Sequence, residues 1–539
     1  MPWGARTTPE DLSAYSFTRT AGVLALALLM LACSPIRPGM VKPLSYAYPP
    51  AADSPAAQRL GPRLPAERGN SSFRLVPLGV DAFALRAVSA EIATRSLDLQ
   101  YYIWHDDMTG KLLAYEVLKA ADRGVRVRFL MDDMDARSKT GQLSVLDSHP
   151  NIEVRLFNPY ITRGGWIRSS VEFALRGSRL NRRMHNKAWL VDSRVALIGG
   201  RNVGDEYFDA SGELNFEDLD LVVVGELVDD ASEQFDRYWN NEWSIPIAFV
   251  RNVPKPKPGD LDQMRERLAL NWANAQGSPF LQRASDSLLM ESILAGQTTS
   301  IVTSRARLLV DDPRKVDPDI ETEELESGVR EGLVAALHDS DQEVNLISPY
   351  FVPGDNGSKG LLLLEKEGVE VSVLTNSLAA SDVAAVHSGY IRYRKPLLEG
   401  GVDLYEMKLN HHAEPGDTER RRRLGLGSSK ASLHTKAAIF DDRRVFVGSF
   451  NLDPRSAWAN SEMGVLIESE ELARQLDRVY RTSIAPQRSY QVQLDDDGKL
   501  AWVDQVGDQP RIQKREPDAS LFRRMLTTIL SWLPIEPLL

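Results

Sequence analysis

Two short segments pair an imidazole with an ammonium at the same spacing. His185, Lys187 and Asp192 fit the pattern H-x-K-x4-D, and His434, Lys436 and Asp441 fit it again. Apolar residues follow each pair: Ala188 to Val191 in one, Ala437 to Phe440 in the other. Such runs read as β-strands, in which residues i and i+2 share a face, so each histidine and its lysine should enter one pocket. An imidazole titrates near neutrality and can move protons or attack, while a lysine beside it supplies positive charge. One match carries little weight, because histidine and lysine are common on strands. Two matches at corresponding places in a repeated chain are specific.

The flanks repeat as well. Asn202 and Asn451 each lie 17 residues beyond their histidine, after an apolar run ending in glycine. Two residues before the asparagine stands Gly200 in the first copy and Ser449 in the second. Further on, Asp218 and Glu462 each head another apolar run. A carboxylate can hold one ring nitrogen of a catalytic histidine, and sequence order assigns Asp218 to His185 and Glu462 to His434. Asp192 and Asp441 are expected to be structural.

The elements that must position these residues form a long-period repeat. Gly124 to Asp133 matches Gly368 to Ser377, and each follows a helical stretch, Leu112 to Arg123 or Gly360 to Glu367. An apolar strand precedes each helix, Leu97 to Trp104 and Val344 to Phe351. Strand, helix, strand in sequence signals βαβ units and parallel pairing. A period near 250 residues is that of a domain, not a solenoid repeat. The expected fold class is α/β, with two similar domains, each a mainly parallel mixed sheet flanked by helices. A pseudo-twofold axis would place the site between them. The expected divisions are 1–32, a signal peptide; 33–70, a lipidated Pro/Ala-rich tether; 71–253, a first domain; 254–328, a partly helical connecting region; 329–490, a second domain; and 491–539, a C-terminal extension.

Paired His-x-Lys motifs followed by Gly-Gly/Ser, Asn and a downstream acid resemble the phospholipase D superfamily, from about Phe73 to the C-terminus. Within it, Gln100 to Asp107, Leu180 to Lys187, Gly199 to Phe208, Leu374 to Ala380, Ser449 to Arg455 and the closing run to Leu539 resemble bacterial cardiolipin synthases of the C type. The resemblance implies a phosphatidyltransferase working through a phosphohistidine. His185 would be the nucleophile and His434 the acid/base, with Lys187, Lys436, Asn202, Asn451 and Ser449 around the phosphate. A hydrolytic phospholipase D is the alternative. No cofactor is implied. The lipids would be phosphatidylglycerol, with phosphatidylethanolamine a second candidate. The catalytic unit would be monomeric, with an accessory protein left open.

Composition bounds the rest. A net charge of −11 over 539 residues argues against a general polyanion binder, and no nucleic-acid partner is expected. The one cysteine, Cys33, excludes a disulfide framework, and His411-His412 stands without further ligands, so no metal is expected. The apolar run Ala21 to Ala32 falls short of the roughly 20 residues that span a bilayer, but suits a signal-peptide core. With Leu31 and Ala32 before it, Cys33 resembles a lipobox cysteine, the lipidated N-terminus of a mature lipoprotein. Ser34 rather than aspartate after it points to the outer membrane of a Gram-negative envelope, facing the periplasm. Six arginines between Arg163 and Arg183, and four from Arg420 to Arg423, precede the two histidines and suit an anionic bilayer surface. The tail from Ser520 reads equally as an interfacial helix or a docked one.

Overall fold

A computed structural model of the protein describes residues 41–50, 54–60, 69–163, 166–295, 301–321, 324–325, 328–409, 430–506, 509–533 and 536. The segment 1–40 with Cys33, most of 51–68, His411, His412 and Arg420 to Arg423 lie outside them. No helix among the described residues is long and apolar enough to cross a membrane.

Each half builds one twisted mixed sheet. In the first, Asn70–Val76 pairs with Asp220–Gly225, which pairs with Val195–Gly199, then Ala188–Val191, Ser96–Tyr101, Arg126–Asp132, Ile152–Phe157 and Ser244–Pro246. The second repeats the order with Val302–Val310, Met463–Glu468, Arg444–Gly448, Ala437–Phe440, Glu343–Ile347, Glu370–Asn376 and Asp403–Met407. It then continues through Ser489–Leu494, Leu500–Val506 and Gln509–Gln513. The sheets are mixed, as expected, but parallel pairing is confined to three neighbouring strands per half and does not dominate. The cause lies in the motif strands. Ala188–Val191 and Ala437–Phe440 each turn straight back as hairpins, which forces antiparallel neighbours.

Both hairpins turn on left-handed residues. Asp192 and Ser193 have φ of 53° and 52°, and Asp441 and Asp442 have 51° and 52°. Positive φ at both central positions of the Val191–Arg194 and Phe440–Arg443 turns has the sense that matches strand twist, and aspartate tolerates it better than most side chains.

The halves meet in two ways. Asn70–Val76 pairs antiparallel with Val302–Val310, which joins the two sheets edge to edge. The helices Glu226–Asn240 and Glu470–Ile484 then pack into a core drawn from both halves, including Val223, Phe235, Val445, Val465 and Leu476. Burial of this shared apolar surface fixes one half against the other. Residues 41–50 of the expected tether lie along the first half. The amide of Ala47 donates to Asp236 at 2.8 Å, and the Arg126 guanidinium stacks on Tyr48 at 3.7 Å.

Candidate active site

His185 and Lys187 do not lie within a strand; they sit in the extended segment that leads into Ala188–Val191, and His434 and Lys436 precede Ala437–Phe440 in the same way. Freed from their own sheets there, these segments cross to the opposite half. Met184 bridges Ser461 in parallel, and the His185 amide donates to the Ser461 carbonyl at 2.8 Å. Likewise Ala431–Leu433 pairs in parallel with Asn215–Glu217, and the His434 amide donates to the Glu217 carbonyl at 2.8 Å. Each histidine is therefore laid beside the residue that precedes the carboxylate of the other half.

The carboxylate assignment made from sequence order is thereby reversed. His185 Nδ1 lies 2.8 Å from Glu462 Oε2, and His434 Nδ1 lies 2.5 Å from Asp218 Oδ2. Neighbours in sequence are partners across the pseudo-twofold axis, because the pairing follows the crossing segments and not chain order. Holding Nδ1 fixes each ring and leaves Nε2 as the reacting nitrogen. Asp311 secures Glu462 in turn, accepting its amide at 3.1 Å while pairing with Lys315 at 2.7 Å.

The departure at Gly200 has a steric reason. A Cβ there would lie 2.2 Å from Asp218 Oδ1. In the second half the longer Glu462 leaves room for Ser449, whose hydroxyl donates to Glu462 Oε2 at 2.5 Å and accepts from the Met463 amide at 3.0 Å. Ser449 thus orients the carboxylate; its hydroxyl is directed at Glu462 and not toward the histidines' reacting side. Asn202 is held by the Ile103 amide at 3.2 Å and donates to the Tyr207 hydroxyl at 3.0 Å. Asn451 is buried, and its Oδ1 has no hydrogen-bond partner among the described residues.

The two lysines converge on this centre. Lys187 Nζ donates to the His185 carbonyl at 2.6 Å, and Lys436 Nζ lies 2.8 Å from His434 Nδ1. Their charges reach both histidines. Burial, then Glu462 opposing and the lysines assisting, leaves His185 at about 4, so the ring is neutral at physiological pH. Burial and Lys436 lower His434 as well. Burial drives Lys187 well below an ordinary lysine and brings Lys436 to about 8. Burial would raise Asp218 and Glu462, but the histidines and lysines outweigh it and hold both carboxylates ionised. The centre is nearly dry: His185 is 8% exposed and His434 6%.

Asp192 and Asp441 stand apart from the chemistry. Asp192 accepts from the amides of Thr94, Arg95 and Ser96 at 2.8–3.2 Å and from the Ser54 hydroxyl at 2.8 Å. Asp441 accepts from the amides of Asp341, Gln342 and Glu343 at 2.9–3.2 Å. Each carboxylate ties its hairpin turn to the start of the neighbouring antiparallel strand, Ser96–Tyr101 or Glu343–Ile347. Asp192→Ala leaves three main-chain donors without that acceptor, so unfolding by denaturant should show a loss of about 3 kcal/mol or more. Activity per folded molecule should stay near wild type.

Three aromatic rings around the histidines escaped the sequence reading. Tyr102 meets His185 edge-on at 5.0 Å, while Tyr207 and Phe216 approach His434 at 5.2 and 5.0 Å. Their places offered a signal: Phe216 stands two residues before Asp218, and Tyr207 five after Asn202. The arginines before His185 differ from expectation in the other direction. Arg183 is fully buried on Asp132, Arg163 pairs with Asp133, and Arg176 with Glu172. Arg179 donates to Asn158 and stacks on Trp243, and Arg182 donates to the Lys315 carbonyl. Most of these arginines are taken up by partners within the protein, with Arg168 exposed, and they do not form an open basic surface.

Comparisons with known proteins fit this geometry. The family described as "Cardiolipin synthase, PLD-like domain" matches twice, over residues 89–239 and 333–483. Cardiolipin synthase C of Escherichia coli K12 is 42% identical over 468 residues, covering 86% of this chain and 96% of that protein. An uncharacterised protein of Helicobacter pylori strain 26695 is 33% identical over 425 residues, 78% of this chain and 81% of that one. Among solved structures, phosphatidylserine synthase of Haemophilus influenzae shares the fold, with a TM-score of 0.56 at 12% identity over 88% of this chain and 96% of its own. With both halves matched and both motifs in place, the chain belongs to the cardiolipin synthase family of phospholipase D-like proteins.

Proposed function

We propose that the chain is a cardiolipin synthase-like phosphatidyltransferase that moves a phosphatidyl group between phospholipids through a phosphohistidine. The observation that carries this reading is the crossed pair of histidine–carboxylate contacts, which turns two reacting nitrogens toward one buried centre with two lysines. A phosphodiester anion resists nucleophiles, and Lys187 and Lys436 neutralise it in a water-poor site where charge acts strongly. The amides of Asn202 and Asn451 complete the phosphate's surroundings.

His185 Nε2 attacks phosphorus, a P–N bond forms, and the P–O bond to the departing headgroup breaks. For this step His434 enters as the imidazolium, which Asp218 favours against burial and Lys436, and its Nε2 gives the proton to the leaving alkoxide. The neutral His434 then removes the proton of an incoming lipid hydroxyl, which attacks phosphorus and releases His185. A neutral ring at about 4 suits the attacking role of His185. Phosphatidylglycerol offers a free hydroxyl and serves as both donor and acceptor; phosphatidylethanolamine is a second donor. Incubation with labelled phosphatidylglycerol should yield labelled cardiolipin. Phosphatidic acid alone would replace this reading with hydrolysis, which the same intermediate performs when water enters.

The lysine charge sets an alkaline limit. Lys436 sits at about 8, below the ordinary 10.5, so it is mostly charged at neutral pH and loses that charge as pH rises through about 8. The kcat/KM for phosphatidylglycerol should fall on that limb. Whatever residual activity Lys436→Arg retains should lose the part of that limb that Lys436 carries, because a guanidinium stays charged, while the lowered Lys187 still titrates.

Lipidation at Cys33 and anchoring to the periplasmic side of the outer membrane belong to the same proposal. They rest on Leu31, Ala32, Cys33 and Ser34 following an apolar run. Metabolic labelling with palmitate, lost in Cys33→Ala, tests it.

A further inference from the structure

The two halves share their topology but not their helix packing. In the first half the helices Gly79–Ile92 and Met108–Asp122 pack directly on each other. The connecting region covers them: Phe280 meets Phe83 at 5.0 Å, Trp272 meets Tyr115 at 5.7 Å, and Met290 and Ile293 join the same core. In the second half the corresponding helices, Val329–His338 and Gly354–Glu367, border a cavity of about 1250 Å³. That exceeds the roughly 300–1,000 Å³ of ordinary small-molecule pockets. One residue illustrates the difference. Phe208, six beyond Asn202, is buried against Phe83 at 5.8 Å, whereas the residue six beyond Asn451 is Ala457, at the cavity wall.

Its lining is mostly apolar, with Asp453 and His338 among the polar members, and it includes both chain neighbours of Asn451. Leu333, Leu337, Phe351 and Leu361 form the body, and Phe450 and Leu452, the chain neighbours of Asn451, line it on the side of the second motif. The mouth mixes apolar and charged side chains. Val334, Leu363 and Trp458 are each more than half exposed, and Arg330 stacks on Trp458 at 4.3 Å. Glu536 reaches the rim, bonded to the Tyr393 hydroxyl at 2.7 Å and to Arg392 at 2.9 Å. It follows the helix Leu521–Ser531, which leaves Phe522, Met525 and Ile529 exposed, as is Trp532 just beyond it. Tryptophan, arginine and aliphatic residues together are the side chains that suit a bilayer interface.

We propose that this cavity receives an acyl chain of the phospholipid whose phosphate is held at Asn451, drawn in across a mouth that faces the bilayer. The proposal rests on the phosphatidyltransferase reading and adds the place where a lipid tail is bound. It also accounts for the asymmetry of the halves: one has these two helices covered by the connecting region, and the other is left open to a lipid.

Two measurements on the full chain test it. The first compares kcat/KM for long-chain and short-chain phosphatidylglycerol on one preparation. Filling the cavity with Ala457→Phe, the residue of the sealed half, or with Leu337→Trp should lower the long-chain to short-chain ratio about tenfold or more. Because the ratio is taken within one sample, partial misfolding does not mimic the effect. The second measurement needs no turnover. Vesicles containing phosphatidylglycerol with a photoreactive group in its tail should label the peptides around Leu333 and Leu361, and Ala457→Phe should abolish that label. Failure to form cardiolipin with the label in place would count against the catalytic reading and not against the cavity. An unchanged chain-length ratio, or a label confined to other peptides, to residues 1–40 or to a second copy of the chain, would overturn the proposal.

Discussion

With a phosphatidyl ester of a nitrophenol, His434→Ala should stall with a phosphatidyl group on His185, and His185→Ala should form no covalent species at all. The difference follows from what each nitrogen does. Loss of the nucleophile removes the covalent route, so cardiolipin formation should fall by a factor of about 10⁴ or more, equivalent to about 5 kcal/mol of transition-state stabilisation. Loss of the acid/base blocks protonation of the leaving alkoxide, a need that a phosphatidyl ester of a nitrophenol does not have. With that substrate His434→Ala should release nitrophenol in a single burst, because no base remains to activate the acceptor for the second step. Mass spectrometry of the quenched enzyme should place the adduct on the peptide containing His185. An adduct on His434 in the His185→Ala enzyme would reverse the roles, and no adduct in either would remove the covalent step. The double variant should be little worse than His185→Ala, since residues that act as a unit do not add.

What could be read from the residues and what could not follow a physical division. The two H-x-K-x4-D motifs, the trailing asparagines and the βαβ repeat are local patterns, and all were legible. The expectation that Asp192 is structural also came from the motif itself, and its bonds to the Thr94, Arg95 and Ser96 amides support it. The partnership of His185 with Glu462 was not legible, since 277 residues separate them and the link depends on where Met184 meets Ser461. Chain order favoured the neighbour, and only the crossing of the two halves reverses it. The arginine segment shows the same limit. Its charges look exposed in sequence, but Asp132 and Asp133, some fifty and thirty residues earlier, take Arg183 and Arg163 into the interior. The cavity was also hidden. It arises because the connecting helices cover one half and not the other, and no local pattern states which face a helix will cover.

The crossed carboxylates make the halves catalytically inseparable, and the effect should be large. In Glu462→Gln the amide is neutral and can present either its oxygen or its NH₂ group to His185 Nδ1, so the ring loses its fixed tautomer and its counter-charge. Catalytic histidines robbed of such a carboxylate lose about 10⁴ in turnover in the serine protease triad, and a loss of about 10³–10⁴ is expected here. Asp218→Asn should act equally on His434, and it carries a further marker. With the nitrophenol ester, Asp218→Asn should keep its burst and slow the second step, as His434→Ala does, while Glu462→Gln should slow the burst itself. The cross-assignment is tested by double variants. Glu462→Gln should add little to His185→Ala, because its partner is already gone, whereas Glu462→Gln and Asp218→Asn together should cost more than either alone. Had the carboxylates served their own halves, the phenotypes of Glu462→Gln and Asp218→Asn would change places. That exchange is the outcome that would refute the 2.8 Å contact between His185 and Glu462 as the working one. The same geometry predicts that neither half alone, cut between residues 254 and 328, retains turnover, since each would hold a histidine and lysine without the carboxylate that orients them.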